Sequence, residues 1–255
     1  MSREASQGRW SIVTRNRRLE RLYLSPMATI SKRRRIIDRG MLNGRLDDML
    51  DRADSGPGSL RADMLELLKS ALAAGRDEVR QRFEAGGSGS ETVFAQAFLI
   101  DQLIRVIYDF ATESAYPAAN PTLADRLSVV AVGGYGRQEL APFSDIDLLF
   151  LLPYKETPRH EQVIEYVLYM LWDLGLKVGH ATRSIDECVR LSKRDLTIRT
   201  SILEARLLCG DPELFRDLRV HYRADMAEGT GPAFVEDKLR ERDERRPRDP
   251  VGADF

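Results

Sequence analysis

Two aspartates, Asp145 and Asp147, sit one residue apart behind a glycine-rich stretch in residues 129–152, VVAVGGYGRQELAPFSDIDLLFLL. On a β-strand, side chains at i and i+2 point to the same face, about 6.5 Å apart along the chain. Two like charges at the mouth of an apolar core are costly unless a cation lies between them. Mg²⁺ suits the pair, because it takes oxygen ligands and commonly shares one or two carboxylates with substrate phosphates. Gly133, Gly134 and Gly136 suit the complementary task. Backbone without Cβ can approach a phosphate closely and offer it N–H donors. Arg137 follows the glycines, and Ser144 immediately precedes the first aspartate.

The elements that must position these residues are short apolar runs. Residues 128–132 and 146–152 are rich in β-branched and aliphatic residues and read as buried strands on either side of the glycine turn. Along the second, Leu149 and Leu151 face one way and Leu148, Phe150 and Leu152 the other, which predicts a central strand covered by helices on both faces. Upstream, apolar spacing predicts a charged helix over 31–50, with Ile36, Ile37, Leu42, Leu46 and Leu50 on its apolar side. A break follows at 55–59, then a helix over 60–85 carrying Leu65, Leu68, Leu72, Val79 and Phe83, interrupted only by Gly75. A second breaker at 86–90 precedes a helix over 91–114 with Phe94, Ile100, Leu103, Ile107 and Phe110 turned to a core. Residues 1–30 lack sustained periodicity and are expected to be poorly ordered. The boundary between the helical region, 31–115, and the sheet domain, 122–225, is placed in the two-proline stretch 116–121. Downstream, Thr157-Pro158 opens a helix to Leu174, with Val163, Val167, Leu171, Ile164, Leu168 and Trp172 forming a stripe against the sheet. A third strand is predicted over 176–183. Ser184–Glu187 reads as a capping box, Asp195 as the cap of a helix over 196–208, and Asp211-Pro212 as another helix start. Residues 226–255 read as helical and then irregular.

The 255 residues carry a formal net charge of -1 and are 43% hydrophobic, enough for one large or two small domains. The balanced charge offers no electrostatic ground for nucleic-acid binding. No uncharged apolar run approaches the ~20 residues of a membrane span. Cys188 and Cys209 form no metal-binding or disulfide framework, and a G-x-x-x-x-G-K-[ST] phosphate loop is absent. The plain reading is a cytoplasmic protein.

Val132-Gly133-Gly134, ten intervening residues, and then Asp145-Ile146-Asp147-Leu148 resemble the signature of polymerase β-type nucleotidyltransferases. That resemblance implies an α+β fold, a small mixed sheet flanked by helices, here with an N-terminal helical region and C-terminal helices. Residues 102–112 (QLIRVIYDFAT), 130–152, 167–188 (VLYMLWDLGLKVGHATRSIDEC) and 197–211 (TIRTSILEARLLCGD) narrow the likeness. They resemble the N-terminal nucleotidyltransferase region of bifunctional PII uridylyltransferase/uridylyl-removing enzymes. The resemblance implies transfer of UMP from UTP to a tyrosine of the PII signalling protein, with release of pyrophosphate. In that reading Asp145 and Asp147 are catalytic and hold Mg²⁺. Gly133, Gly134 and Ser144 cradle the β- and γ-phosphates, and Arg137 neutralises the departing pyrophosphate.

The chain departs from the family pattern in three places. Gln138 stands where a third loop glycine is common, which bears on loop geometry without removing a ligand. A third carboxylate usually comes from a later strand, and residues 176–183 contain none; His180, Asp195 and Glu204 are the nearest candidates, each better explained by a structural role. The His-Asp dipeptide of a phosphohydrolase domain is missing, and residues 245–255 do not resemble family sequence. A truncated product without uridylyl-removing and glutamine-sensing domains is expected. Two alternatives stay open: a nucleotide- or PII-binding remnant without turnover, and adenylyl transfer to glutamine synthetase.

Overall fold

The computed structural model describes residues 30–52, 60–224 and 231–245. The expectations for the N-terminus before residue 30, the break at 55–59 and the tail beyond 245 lie outside the described residues. The helical region comprises α1 (Arg33–Ile36), α2 (Arg39–Arg52), α3 (Arg61–Glu84) and α4 (Gly89–Phe110), the last continued by a wide turn, Ala111–Ala115. The sheet region follows in the order β1 (Ser128–Ala131), α5 (Gly133–Gly136), β2 (Ile146–Leu152), α6 (Pro158–Asp173) and β3 (Val178–Ser184). It continues through α7 (Ile185–Ser192), α8 (Leu196–Leu203), β4 (Arg206–Gly210) and α9 (Pro212–Tyr222), and α10 spans Gly231–Arg245.

The four strands form one mixed sheet in the order β3-β2-β1-β4. β2 lies inside it, antiparallel to β1 (Ala131 opposite Leu148) and parallel to β3 (Asp147 opposite Gly179). The two-sided reading of β2 holds. Leu148, Phe150 and Leu152 join a core with α4 and α6, while Leu149 and Leu151 pack with Ile185, Cys188, Leu214 and Phe215 on the other face. The first of these cores runs without interruption from Ile36 and Leu42 through α3 and α4 to the sheet.

Local signals account for most helix starts. Thr157 and Ser184 each accept from the backbone N–H three residues on, and their own N–H groups donate back to the side chains of His160 and Glu187, as in a capping box. Asp195 and Asp211 cap α8 and α9. Ser88 and Glu91 form a further box at the start of α4, inside the stretch read as a breaker. Gly75 marks a close crossing: a Cβ there would stand 2.5 Å from Leu99 Cδ1 and 2.8 Å from Ile36 O.

Four expectations need correction. The helix predicted over 31–50 is two helices, because Ile37 is extended (φ -161°, ψ 137°) and Asp38 Oδ1 accepts from Met41 N–H at 3.2 Å, starting α2 afresh. The helix predicted over 196–208 stops at Leu203, and 206–210 is a fourth strand paired with β1. Leu208 faces one core and Leu207 the other, an alternation hidden in a short apolar run that suits either period. Phe83 is 54% exposed instead of core-facing, and Trp172 is 43% exposed at the margin of the α6 stripe.

Candidate functional site

β1 and β2 are antiparallel neighbours, so the segment between them returns to the same end of the sheet. The N–H of Val132 donates to Asp147 O at 3.1 Å and ties the start of the glycine turn to the aspartate strand. Gly133 then takes φ +60°, and a Cβ on it would lie 3.4 Å from Asp147 Oδ2. Across the sheet, Gly179 of β3 is the register partner of Asp147, and a Cβ there would lie 2.6 Å from Asp147 Oδ1. The Asp147 carboxylate thus stands between two glycines, one from the turn and one from β3.

Asp145 and Asp147 are exposed, and neither carboxylate makes a hydrogen bond or ion pair with another described residue. Burial of its surroundings, and then the neighbouring Asp145 carboxylate, push the Asp147 carboxyl above the usual carboxylate range. The opening turn of α5 has no side-chain cap, since Val132 precedes it in extended conformation. Its first N–H groups, at Gly133 and Gly134, are the orphan donors of a helix start. Ser144 is exposed beside Asp145, its N–H donating to Ala141 O at 3.1 Å.

Arg137 is also brought to this end, but it is already paired. Nε lies 2.9 Å from Glu139 Oε2 and Nη1 2.8 Å from Glu204 Oε1. Gln138, at the position where a third glycine was noted, takes φ +68° and is 95% buried, with Oε1 lacking a hydrogen-bond partner. The left-handed backbone a glycine would adopt freely is therefore kept, at a cost in strain.

The third-carboxylate candidates are all engaged elsewhere. His180 turns to the opposite face and stacks edge-on with Trp172 at 6.1 Å. Asp195 accepts from Thr197 and Ile198 N–H groups at 2.8 and 3.0 Å. Glu204 holds Arg137. On β3 the position facing Asp147 is Gly179. Among the described residues no cluster of three metal-ligating side chains forms.

Sequence reasoning missed a buried constellation behind the turn. Asp101 of α4, Tyr135 of α5 and Arg206 of β4 bond to one another, with Tyr135 Oη donating to Asp101 Oδ1 at 2.7 Å and Arg206 Nη1 to Asp101 Oδ2 at 2.6 Å. The available signal was a lone carboxylate in the apolar run AFLIDQLIRVI. A buried acid there requires a partner.

Comparison with known proteins decides the family of this site. Residues 119–209 match the family described as "Nucleotidyltransferase domain". The chain carries a nucleotidyltransferase domain. The matched region spans β1 through β4, the glycine turn and both aspartates, and the fold is the α+β fold of the polymerase β type. Much of the chain is also similar to bifunctional uridylyltransferase/uridylyl-removing enzymes. It is 52% identical to that of Rhodospirillum rubrum over 217 residues, 53% to that of Azospirillum brasilense over 219, and 52% to that of Caulobacter vibrioides over 213. These alignments cover 85%, 86% and 84% of this chain and 23% of each relative, at its N-terminal end. The chain therefore spans less than a quarter of the length of the curated relatives it matches.

Proposed function

We propose that this chain transfers UMP from UTP to a tyrosine hydroxyl of a PII-type signalling protein. The observation that carries the proposal is the meeting of two unpaired carboxylates, Asp145 and Asp147, with the uncapped N–H groups of a glycine turn whose Gly133 approaches Asp147 within 3.4 Å of a virtual Cβ. Anion donors and cation ligands side by side suit a metal-bound triphosphate. The choice of UTP and PII is supported by the likeness to the uridylyltransferases at 52–53% identity. The charge-balanced chain, in which no described helix is long and apolar enough to cross a membrane, accords with a cytoplasmic setting and no nucleic-acid partner.

The donor set fits Mg²⁺. Asp145 and Asp147 would supply hard oxygen ligands, the kind this ion takes together with substrate phosphates and water. Bound there, Mg²⁺ would supply charge neutralisation for the triphosphate and the leaving pyrophosphate. The chain's own residues do the rest. Gly133 and Gly134 donate N–H groups to the β- and γ-phosphates, and the Ser144 hydroxyl adds a donor. Arg137, held by Glu139 and Glu204, stands ready to exchange a carboxylate for pyrophosphate. The tyrosine oxygen bonds to the α-phosphorus, the bond from that phosphorus to the bridging oxygen breaks, and the hydroxyl proton passes to solvent. Catalysis of this kind rests on positioning and electrostatics.

A second reading is favoured by one observation, the glycine at position 179 in place of a third carboxylate: a domain that binds nucleotide or PII without turnover. Pyrophosphate release with Mg²⁺, PII and each of the four NTPs separates the two. UTP-selective, PII-dependent release that falls by about 10²-fold or more in Asp145→Asn and Asp147→Asn is expected for the transferase. UTP bound by folded protein without release would establish the binding module, and preference for ATP would redirect the assignment to adenylyl transfer.

A further inference from the structure

The phosphate-facing N–H groups of α5 belong to one end of a single helical turn. Its other end is held by a device that lies outside the binding surface. Arg206 Nη2 donates to Tyr135 O at 3.2 Å and Nε to Gly136 O at 3.3 Å, so one guanidinium grips two successive carbonyls of the turn. The same guanidinium donates to both oxygens of Asp101, Nη1 to Oδ2 at 2.6 Å and Nη2 to Oδ1 at 3.1 Å, and its carbon stands 5.4 Å from the centre of the Tyr135 ring. Tyr135 Oη completes the triangle at Asp101 Oδ1, 2.7 Å. Asp101 and Tyr135 are each 1% exposed. Gly136 seals the arrangement, because a Cβ on it would strike Glu204 O in the loop before β4.

Stability alone does not explain such a device. A buried ion pair repays its desolvation poorly, and apolar residues of similar volume often serve a fold as well or better. What the network adds is geometry. Three elements distant in sequence, α4, α5 and β4, converge on one guanidinium whose planar fork fixes the angles of its bonds. With the turn's carbonyls fixed from behind, its N–H groups point to the front, where Asp145 and Asp147 stand. Burial pushes the Tyr135 hydroxyl well above its ordinary range, so it remains a donor to Asp101 at any working pH.

We propose that Asp101, Tyr135 and Arg206 are positioning residues that hold the glycine turn in the shape that receives the triphosphate, an inference that rests on the nucleotide reading above. Arg206→Lys keeps the charge opposite Asp101 but removes the fork that spans both carbonyls. Tyr135→Phe keeps the ring and removes only the hydroxyl bond, and serves if the first variant does not fold. Amide hydrogen exchange and UTP affinity with Mg²⁺ are measured on the unaltered chain and both variants. Expected are exchange at residues 133–136 at least tenfold faster, wild-type protection in α4 and β4, and UTP bound about tenfold more weakly. Uniformly faster exchange with unchanged UTP affinity in the folded fraction would mean a merely structural network and would overturn the inference. Loosened turn amides with unchanged UTP affinity would overturn it as well. Failure of the unaltered chain to bind UTP would remove the nucleotide reading and the inference with it, and that result is told apart because no substitution is involved.

Discussion

Gly179 offers the sharpest perturbation of the site. It lies on an edge strand directly opposite Asp147, and a Cβ at that position would be 2.6 Å from Asp147 Oδ1. Carbon and oxygen at ordinary contact are roughly 3.5 Å apart, so in Gly179→Ala the carboxylate must retreat by about 1 Å. The retreat is cheap for the fold. The atom displaced is the end of an exposed side chain, and turning it off its rotamer costs about 0.5–1.5 kcal/mol, against about 0.5–1 kcal/mol gained by replacing a glycine within a strand. For the reaction it is expensive, since a misplacement of about 1 Å can cost about 10²-fold in rate. The expected result is a melting temperature within about 4 °C of wild type, together with a fall of about 10²-fold in kcat for UTP-dependent pyrophosphate release. Gly44→Ala is the control, because nothing stands within 4 Å of a Cβ there. Wild-type kcat in folded Gly179→Ala would refute the claim that Asp147 must occupy its present place between two glycines.

Asp147→Asn tests the electrostatic half of the same claim. Because the folded carboxyl titrates above its ordinary range, its charge costs stability as pH rises through that folded value; the variant is expected to melt higher than wild type at pH 7, with the gain fading as pH falls through the folded value and gone below about 4, while nucleotide turnover is lost. Gln138→Gly relieves a left-handed residue that costs about 1–2 kcal/mol and a buried, unpartnered amide oxygen, so a net stabilisation of about 1 kcal/mol is expected in denaturant unfolding; destabilisation would show that packing of the Gln138 side chain outweighs both. His160 is buried, and Nδ1 accepts from Thr157 N–H at 3.3 Å while Nε2 has no partner. Burial lowers its pKa, so its contribution is whole above the unfolded value of about 6.5 and is lost as pH falls from there through the folded one. The melting temperature should fall as pH drops below about 7, and His160→Gln, which keeps a capping-box acceptor, should flatten that slope.

Asp145, Asp147 and the turn glycines stand out in the sequence as a candidate site because two charges one residue apart open an apolar run and glycines precede them. The two faces of β2 are legible as well, since a strand of period two with apolar residues at every position after Asp147 must be covered on both sides. β4 is hidden because Leu207, Leu208 and Cys209 form a short apolar run following a genuine helix, and only pairing with β1 decides its period. The split between α1 and α2 turns on one Asp38 side chain competing with the helix for the N–H of Met41. The network of Asp101, Tyr135 and Arg206 joins residues 34 and 105 positions apart, and local patterning does not reach across such separations. Gly179 is the same kind of case. As a residue in a strand it is unremarked, and its meaning comes from the partner that the parallel register sets against it.

Transfer of label from UTP to PII tests the central claim most directly. UTP labelled at the α-phosphate, and separately at the γ-phosphate, is incubated with Mg²⁺, PII and the chain ending at Phe255, beside Asp145→Asn. Label from the α-phosphate recovered on a PII tyrosine, label from the γ-phosphate recovered in pyrophosphate, and neither in the variant is the expected result. Folded protein that binds UTP yet leaves PII unlabelled would contradict it.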